Sequence, residues 1–287
     1  MARPGRSQRT PAKHELMNEV YAQQAAVFPL LQRSKGLSRV VWLDLTAADG
    51  LVEDGMIWDR NCSPGIQARA AREVRTAPVL ILFCERQVST YGRLLTSLSE
   101  HLPELGYLRV SEGRWSCGQV DLVAAHMDSI DLGLRGIRRG DAVFINSDPN
   151  AITSWPLRKG FTEEIIDRTG WLGMSLSTLG CNTGGLKRIL RKTPEISAQW
   201  FAYVADLERA VPSHHDLLLA AIEGDDAQWA YLLEVPAGWR HKTELMVKRS
   251  FRKHGYAVEY VWLGQDLGGF RRLEERLFCL GGRKSDD

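Results

Sequence analysis

Four short runs of residues in the first half of the chain are rich in hydrophobic side chains. Each run is bounded by polar or turn-forming residues, which is typical of a strand buried within a sheet. The runs lie at residues 40–45, 79–84, 119–125 and 141–146. Because helix-forming segments separate them, the pattern predicts parallel strands joined by helical crossovers.

Helical periodicity occurs in the segments around these runs. Residues 14–28 carry apolar side chains at helical spacing, and this helix is expected to end before Pro29, because the residue before a proline avoids the helical conformation. Pro64 suits a first helical turn and is expected to open a helix that continues through residues 66–74. Residues 88–101 are also predicted to be helical.

The C-terminal part of the chain has a different order of elements. Residues 229–235 are expected to form a strand, and residues 241–254 a basic amphipathic helix. Two further strands, at residues 257–263 and 275–280, follow with only a loop between them. Strands without an intervening helix can pair antiparallel, so we predict a hairpin at one edge of the sheet.

These elements predict an α/β fold with a mainly parallel, seven-stranded sheet that ends in an antiparallel hairpin. The main domain is expected to cover residues 37–287 and to contain a helical insertion at about residues 151–226, in which residues 171–178 are a candidate strand. Residues 1–36 are expected to form a flexible basic arm and a helix. Four basic residues precede the first acid, Glu15: Arg3, Arg6, Arg9 and Lys13.

The composition is that of an ordinary globular protein. The 287 residues are 44% hydrophobic and 25% charged, and no apolar run approaches the roughly 18 to 20 residues that span a bilayer. The five cysteines are odd in number and form no Cys-x-x-Cys pair. This pattern favours reduced thiols, as in the cytoplasm, and predicts no zinc or other metal site.

Basic residues are clustered, although the net charge is only +2. Each cluster alone is most simply a solvated helix face or a helix C-terminus. Together they are candidates for a phosphate-binding surface that would hold DNA or RNA. The clusters beyond the arm are Arg135/Arg138/Arg139, Lys187/Arg188/Arg191/Lys192 and Lys248/Arg249/Arg252/Lys253.

An acidic residue lies at or just beyond the end of each of the first four predicted strands. These residues are Asp44, Glu85, Asp128 and Asp148. In an open parallel sheet, ligands bind outside the carboxyl ends of the strands, at the point where the strand order reverses. A single acid in such a place is often a turn former or a helix cap, but four in series indicate a ligand site.

The stretch VVWLDLTAADG, residues 40–50, resembles the first motif of the class I S-adenosylmethionine-dependent methyltransferases. In that family a strand and an acid lead into a loop of small residues that the cofactor approaches closely. The resemblance implies a Rossmann-like methyltransferase fold. It also implies that Asp44, Ala47 and Gly50 surround the methionine part of the cofactor.

The same resemblance assigns the acids that follow the next two strands. Glu85 would accept hydrogen bonds from both ribose hydroxyls, which suits a carboxylate. Asp128 would accept from the adenine amino group, and Met127 would pack on the adenine ring. The family loop usually carries two or three glycines, where this chain has Ala47, Ala48 and Asp49.

The end of the fourth strand resembles the Asp-Pro-Pro-Tyr motif of methyltransferases that act on amino groups of nucleic-acid bases. Asp148 and Pro149 match, whereas Asn150 and Ala151 stand in place of the second proline and the aromatic residue. The resemblance implies that Asn146, Asp148 and Pro149 are catalytic. Within the superfamily, the chain looks like the three-Cys-motif partner family, whose Gly-Ser-Pro-like element is similar to residues 62–65.

Two hypotheses about the function follow from this pattern. In the first, the protein methylates a base amino group in DNA or RNA. The phosphates of this nucleic acid would be held by basic side chains, namely Lys187, Arg188, Arg138 and Arg139. In the second, the departures from the motifs mark a catalytically degenerate domain that binds nucleic acid or a partner protein. A nicotinamide dinucleotide is disfavoured, because no Gly-x-Gly-x-x-Gly follows the first strand.

Overall fold

A computed structural model describes ten strands, four α-helices and part of the connections. It describes residues 10–50, 62–126, 136–147, 168–169, 172–178, 229–235, 240–254, 256–263 and 275–284, and for the last four strands it describes the backbone alone. The chain forms two compact units. The first comprises Met1–Asn146 with Glu164–Trp171, and the second comprises Ser147–Glu163 with Leu172–Asp287.

The first unit contains helices that alternate with strands. Its elements, in chain order, are α1 (Thr10–Lys35), β1 (Arg39–Asp44), α2 (Ser63–Ala71), β2 (Val79–Glu85), α3 (Val88–His101), a 3₁₀ turn (Leu102–Leu105), β3 (Leu108–Ser111), β4 (Arg114–Cys117), β5 (Val120–His126) and β6 (Asp141–Ser147). The predicted helix at residues 88–101 is confirmed. The four predicted strands are also confirmed as β1, β2, β5 and β6.

The sheet of the first unit has the strand order β3-β4-β5-β2-β1-β6. The pairs β1–β2, β1–β6 and β2–β5 are parallel. From β1 the chain moves outward through β2 to β5, and then returns to place β6 on the other side of β1. The strand order therefore reverses between β1 and β6, as in doubly wound α/β folds.

Strand β1 is the centre of this unit. Its residues Val40, Val41, Trp42 and Leu43 are all buried. The ring of Tyr21 on α1 lies 4.7 Å from that of Trp42, at an interplanar angle of 55°. Helix α1 also packs against α2. Because β1 is buried on both of its faces, its residues form an uninterrupted apolar run in the sequence.

A bidentate ion pair joins the first residues of β1 and β6. The Arg39 guanidinium donates to the Asp141 carboxylate over 2.9 Å from Nε and 2.6 Å from Nη2. Asp141 is fully buried and also accepts from the Arg138 N–H at 2.7 Å. This pairing anchors the amino ends of the two strands, at the opposite edge of the sheet from the acids of interest.

The second unit contains an antiparallel sheet and one helix. Its elements are β7 (Leu172–Thr178), β8 (Trp229–Val235), α4 (Arg240–Arg252), β9 (Tyr256–Leu263) and β10 (Glu275–Lys284). The strand order is β7-β8-β10-β9, and each neighbouring pair is antiparallel. Helix α4 lies against β9. The predicted C-terminal hairpin is therefore confirmed.

The sheet architecture departs from the prediction in two respects. An α/β fold is confirmed, but seven strands and a mainly parallel sheet are not. Four strands of the first unit are parallel, whereas β3, β4 and the strands of the second unit pair antiparallel. The hairpin β3–β4 was missed, because each of its strands has four residues and β3 is exposed along its whole length.

Helix α1 runs through Pro29, contrary to the prediction that it ends before this proline. The last buried side chain of the helix is Phe28, and none of residues 29–35 is buried. Proline removes one backbone hydrogen bond, and in this exposed part of the helix water can satisfy the carbonyl that has no intrahelical donor. The helix ends instead at Lys35, and Gly36 follows with a φ of 66°, the left-handed conformation common just after a helix C-terminus.

Among the helices that the structure describes, none is both long enough and apolar enough to cross a membrane. The predicted division into an N-terminal segment and one main domain stays a prediction. The predicted helical insertion lies largely outside the described residues, which include β7 within it.

Candidate functional site

The carboxyl ends of β1, β2 and β6 bring five of the predicted site residues to one edge of the sheet. Asp44 is the last residue of β1 and pairs with Asn146 of β6. Glu85 is the last residue of β2, and the loop that follows β1 carries Ala47 and Gly50. This edge includes the point where the strand order reverses, between β1 and β6.

The Asp44 carboxylate is fully buried and is surrounded by hydrogen-bond donors. Its Oδ1 accepts from the Thr46 N–H at 3.2 Å, and its Oδ2 accepts from the Gln67 amide at 2.7 Å. The Ser63 hydroxyl also donates to Oδ2, and the Asn146 side chain contributes a further hydrogen bond. Asp44 therefore ties the start of the loop, the N-terminus of α2 and the end of β6 to one point.

Burial determines the electrostatics of Asp44. Desolvation raises the pKa of its carboxyl above the ordinary value, although the hydrogen bonds from Ser63, Thr46 and Asn146 and the charge of Lys13 act in the opposite direction. The negative charge of Asp44 in turn adds to the burial that raises the pKa of the Tyr21 hydroxyl. Asp44 therefore influences the site through the residues that it binds, because its carboxylate has no surface exposed to solvent.

The loop after β1 is held by its backbone in an unusual conformation. The Ala47 N–H donates to the Cys84 carbonyl at 3.1 Å, and the Ala48 N–H donates to the Glu85 carboxylate. Ala48 has a φ of 55°, which is uncommon for a residue other than glycine, and Gly50 has a φ of 70°. Such conformations persist only when neighbouring contacts enforce them, and they are concentrated at functional sites.

An ion pair fixes the next residue of the loop. The Nε of Arg93, on α3, donates to Oδ2 of Asp49 at 2.9 Å. Nη2 of the same guanidinium donates to the Thr90 hydroxyl at 3.2 Å. The acidic side chain of Asp49 is therefore accompanied by a positive charge, which lowers the negative potential at the loop.

Glu85 combines backbone hydrogen bonds with partial exposure. Its carboxylate accepts from the Gln87 N–H at 2.7 Å and also from the N–H groups of Arg86 and Ala48. Burial nevertheless raises the pKa of Glu85, and the nearby charge of Asp44 adds to that increase. A carboxylate has about four acceptor positions, and three backbone N–H groups occupy three of them here, so Glu85 retains about one position for a hydroxyl donor on a ligand.

His126 is a residue of this edge that the sequence reasoning missed. It is the last residue of β5 and pairs with Glu85. Its Nε2 lies 2.8 Å from the Arg86 carbonyl, which can only accept, so Nε2 carries the hydrogen. The Tyr91 ring lies 5.7 Å from the imidazole. The signal was present, since a histidine directly follows the third predicted strand, one residue before Met127.

Ser63 and Gln67 were also missed as partners of Asp44. Pro64, beside Ser63, indicates a helix start, but nothing local in the sequence links Ser63 or Gln67 to Asp44. Ser63 and Gln67 lie 19 and 23 residues from Asp44 along the chain, so the contact depends on tertiary structure.

Six predicted site residues lie outside the described residues, and their roles stay predictions. They are Met127, Asp128, Asp148, Pro149, Lys187 and Arg188. Arg138 and Arg139 are described and exposed, but they precede the first residue of β6. Seven residues of strand separate them from the carboxyl edge, a distance of about 20 Å. The structure does not bring these two arginines to Asp44.

Among the described residues, no group of three or more histidine, cysteine, aspartate or glutamate side chains is arranged to hold a metal ion.

No protein-family model matches the chain, and no curated protein matches its sequence. Solved structures that resemble it include cofactor-bound Rv0187 from MTB, with 12% identity and a TM-score of 0.29 over 94% of this chain and 88% of that one. The methyltransferase domain of bacterial CtHen1-C has 11% identity and a TM-score of 0.28, over 92% and 98% of the two chains.

A third solved structure is precorrin 8W decarboxylase from Methanobacterium thermoautotrophicum, with 11% identity and a TM-score of 0.26 over 90% and 89% of the two chains. Likenesses at these TM-scores decide neither the fold nor the function of this chain. The resemblance to the three-Cys-motif partner family receives no support from them.

Replacement of Asp44 by asparagine tests whether its carboxylate is the hydrogen-bond acceptor that holds this edge together. The amide offers one acceptor oxygen where the carboxylate offers two, so donors among Ser63, Gln67 and Asn146 are left without a partner. We expect D44N to lower the free energy of unfolding by about 2 kcal/mol. The measurement is urea denaturation, and Asp121→Asn, an exposed position on β5, is the matched control.

The destabilisation caused by D44N should also depend on pH. Because the pKa of Asp44 is raised in the folded state, its contribution to stability is full below the ordinary pKa of aspartate and decreases as pH rises through the folded-state pKa. The wild type should therefore exceed D44N by more at pH 4 than at pH 8. An equal or smaller difference at pH 4 would contradict a raised pKa of Asp44 in the folded protein.

Proposed function

We propose that the protein is an S-adenosylmethionine-dependent methyltransferase that acts on a base amino group in nucleic acid. The observation that supports it is the loop of Ala47–Gly50 at the reversal of strand order, held in a left-handed conformation beside the Glu85 carboxylate. Small side chains leave the backbone of the loop approachable. Glu85 ends the neighbouring strand, where a hydroxyl of a ribose could reach it.

The residues at this edge fit such a cofactor. Glu85 is partly exposed and has acceptor capacity beyond its backbone donors. Asp49 carries a charge that would repel the methionine carboxylate, but Arg93 offsets it. His126 and Tyr91 add aromatic surface beside Glu85. When bound, the cofactor would supply the methyl group and the sulfonium from which it leaves.

The rest of the mechanism needs positioning more than acid–base chemistry. Asp44 would keep the loop and the end of β6 in register, through Thr46 and Asn146. Asp148 and Pro149, by the sequence resemblance, would accept the hydrogens of the target amine and aim its lone pair at the methyl carbon. Holding the reactants in line removes most of the entropic barrier to transfer.

A degenerate binding protein is the second candidate, and one observation favours it. The loop carries the side chains of Ala47, Ala48 and Asp49 where the family has glycines. The Asp49 carboxylate also forms an ion pair with Arg93. A domain with this loop could keep the fold without the cofactor. Cofactor binding separates the two candidates.

Calorimetry with S-adenosylmethionine tests the cofactor site. We expect micromolar affinity for the wild type, and an affinity about tenfold to a hundredfold lower in Glu85→Gln, because the amide keeps one acceptor oxygen and replaces the other by a donor. Glu104→Ala, at an exposed position of the 3₁₀ turn, is the control. No binding by folded wild-type protein at millimolar ligand would favour the degenerate protein.

Nucleic-acid binding tests the substrate class. Binding of a single-stranded oligonucleotide should weaken with salt, and K187A/R188A should reduce the slope of log K against log salt by about 0.7 for each phosphate that the variant no longer neutralises. Asp148→Ala should keep that affinity and abolish methyl transfer from radiolabelled cofactor. An unchanged salt slope in the double variant would remove Lys187 and Arg188 from the substrate surface.

A further inference from the structure

The loop after β1 is unusual because several successive residues are each tied to a different part of the protein. The Thr46 N–H donates to Asp44, the Ala47 N–H to the Cys84 carbonyl, and the Ala48 N–H to Glu85. The fourth tie is the ion pair of Asp49 with Arg93. The first three ties come from the strand ends, whereas the fourth comes from a side chain on α3.

The conformation that these ties hold is not the one an alanine prefers. At a φ of 55°, the Cβ of Ala48 crowds the following carbonyl, which makes this conformation unfavourable for an alanine. The loop would relax if its ties were removed, because extended conformations are more favourable for this residue. Asp49 directly follows Ala48, so a contact at Asp49 opposes that relaxation.

Arg93 is suited to this task by its own support. The Nε–Oδ2 distance to Asp49 is 2.9 Å, and Nη2 is held at 3.2 Å by the Thr90 hydroxyl one turn earlier on the same helix. The side chains of Arg93 and Asp49 are 52% and 20% exposed, so the pair lies at the protein surface. A pair this exposed contributes little to global stability, and its effect is therefore expected to be local.

We propose that Arg93 is a positioning residue that holds the loop in the left-handed conformation in which it receives the cofactor. This inference rests on the proposed function. Through Asp49, Arg93 keeps the Ala48 N–H on the Glu85 carboxylate, so the loop and the predicted ribose acceptor are aligned before the ligand arrives. A loop ordered in advance reduces the entropy cost of binding.

The test has one readout without any ligand. Amide hydrogen exchange of Ala47 and Ala48, followed by NMR, should accelerate about fivefold in Arg93→Ala. This factor corresponds to the upper end of the free energies measured for exposed ion pairs. The midpoint of thermal unfolding should not change. Asp49→Ala should have the same effect, and the double variant should be no worse than either single one, because both remove the same ion pair. Arg109→Ala, an exposed arginine on β3, is the control.

The second readout is affinity for S-adenosylmethionine. Arg93→Ala should weaken binding by about the same factor of five, and Arg93→Lys should recover part of the affinity, because an ammonium can still pair with Asp49. If Arg93→Ala does not fold, Arg93→Gln replaces it. Recovery in the lysine variant is an outcome that a packing defect alone would not produce.

The outcomes separate this inference from the proposed function. Wild-type exchange rates in Arg93→Ala would show that the ion pair does not hold the loop, whatever the protein binds. Faster exchange with unchanged affinity would show that the loop conformation does not matter for the cofactor. Absence of cofactor binding by the wild type would overturn both the proposed function and the positioning role.

Discussion

A carboxylate that is buried without solvent must obtain its hydrogen bonds from the protein, and Asp44 obtains them from three separate segments. The Thr46 N–H, the side chains of Ser63 and Gln67, and the side chain of Asn146 all converge on it. Unpaired, such a group would cost several kcal/mol. The requirement to satisfy Asp44 therefore fixes the loop after β1, the start of α2 and the end of β6 relative to one another.

The left-handed loop follows from this constraint. Thr46 is tied to Asp44, and the chain then turns within a few residues at the ends of β1 and β2. Ala48 and Gly50 have positive φ values in this turn. The turn brings the Ala48 N–H onto Glu85 and Asp49 onto Arg93. An edge built in this way carries a partly exposed acceptor, Glu85, and lies where the strand order reverses, which is where open α/β sheets bind ligands.

Much of the first unit could be predicted from sequence, because its strands are buried and therefore consist of uninterrupted apolar runs. The β3–β4 hairpin could not, since its short exposed strands carry no such signal. Helix α1 passes Pro29 because exposure there makes a missing hydrogen bond inexpensive. The pairing of Asp49 with Arg93 was invisible for another reason: a contact across 44 residues depends on tertiary structure and leaves no local pattern.

We propose that Glu85 and the loop of Ala47–Gly50 form a cofactor site. Crystallisation with S-adenosylhomocysteine, the demethylated product of the cofactor, tests it most directly. We expect a ribose hydroxyl within hydrogen-bonding distance of the Glu85 carboxylate, with Ala48 still at positive φ and the Asp49–Arg93 pair intact. A ligand bound at another edge of the sheet, with Glu85 contacting only its own backbone donors, would contradict it.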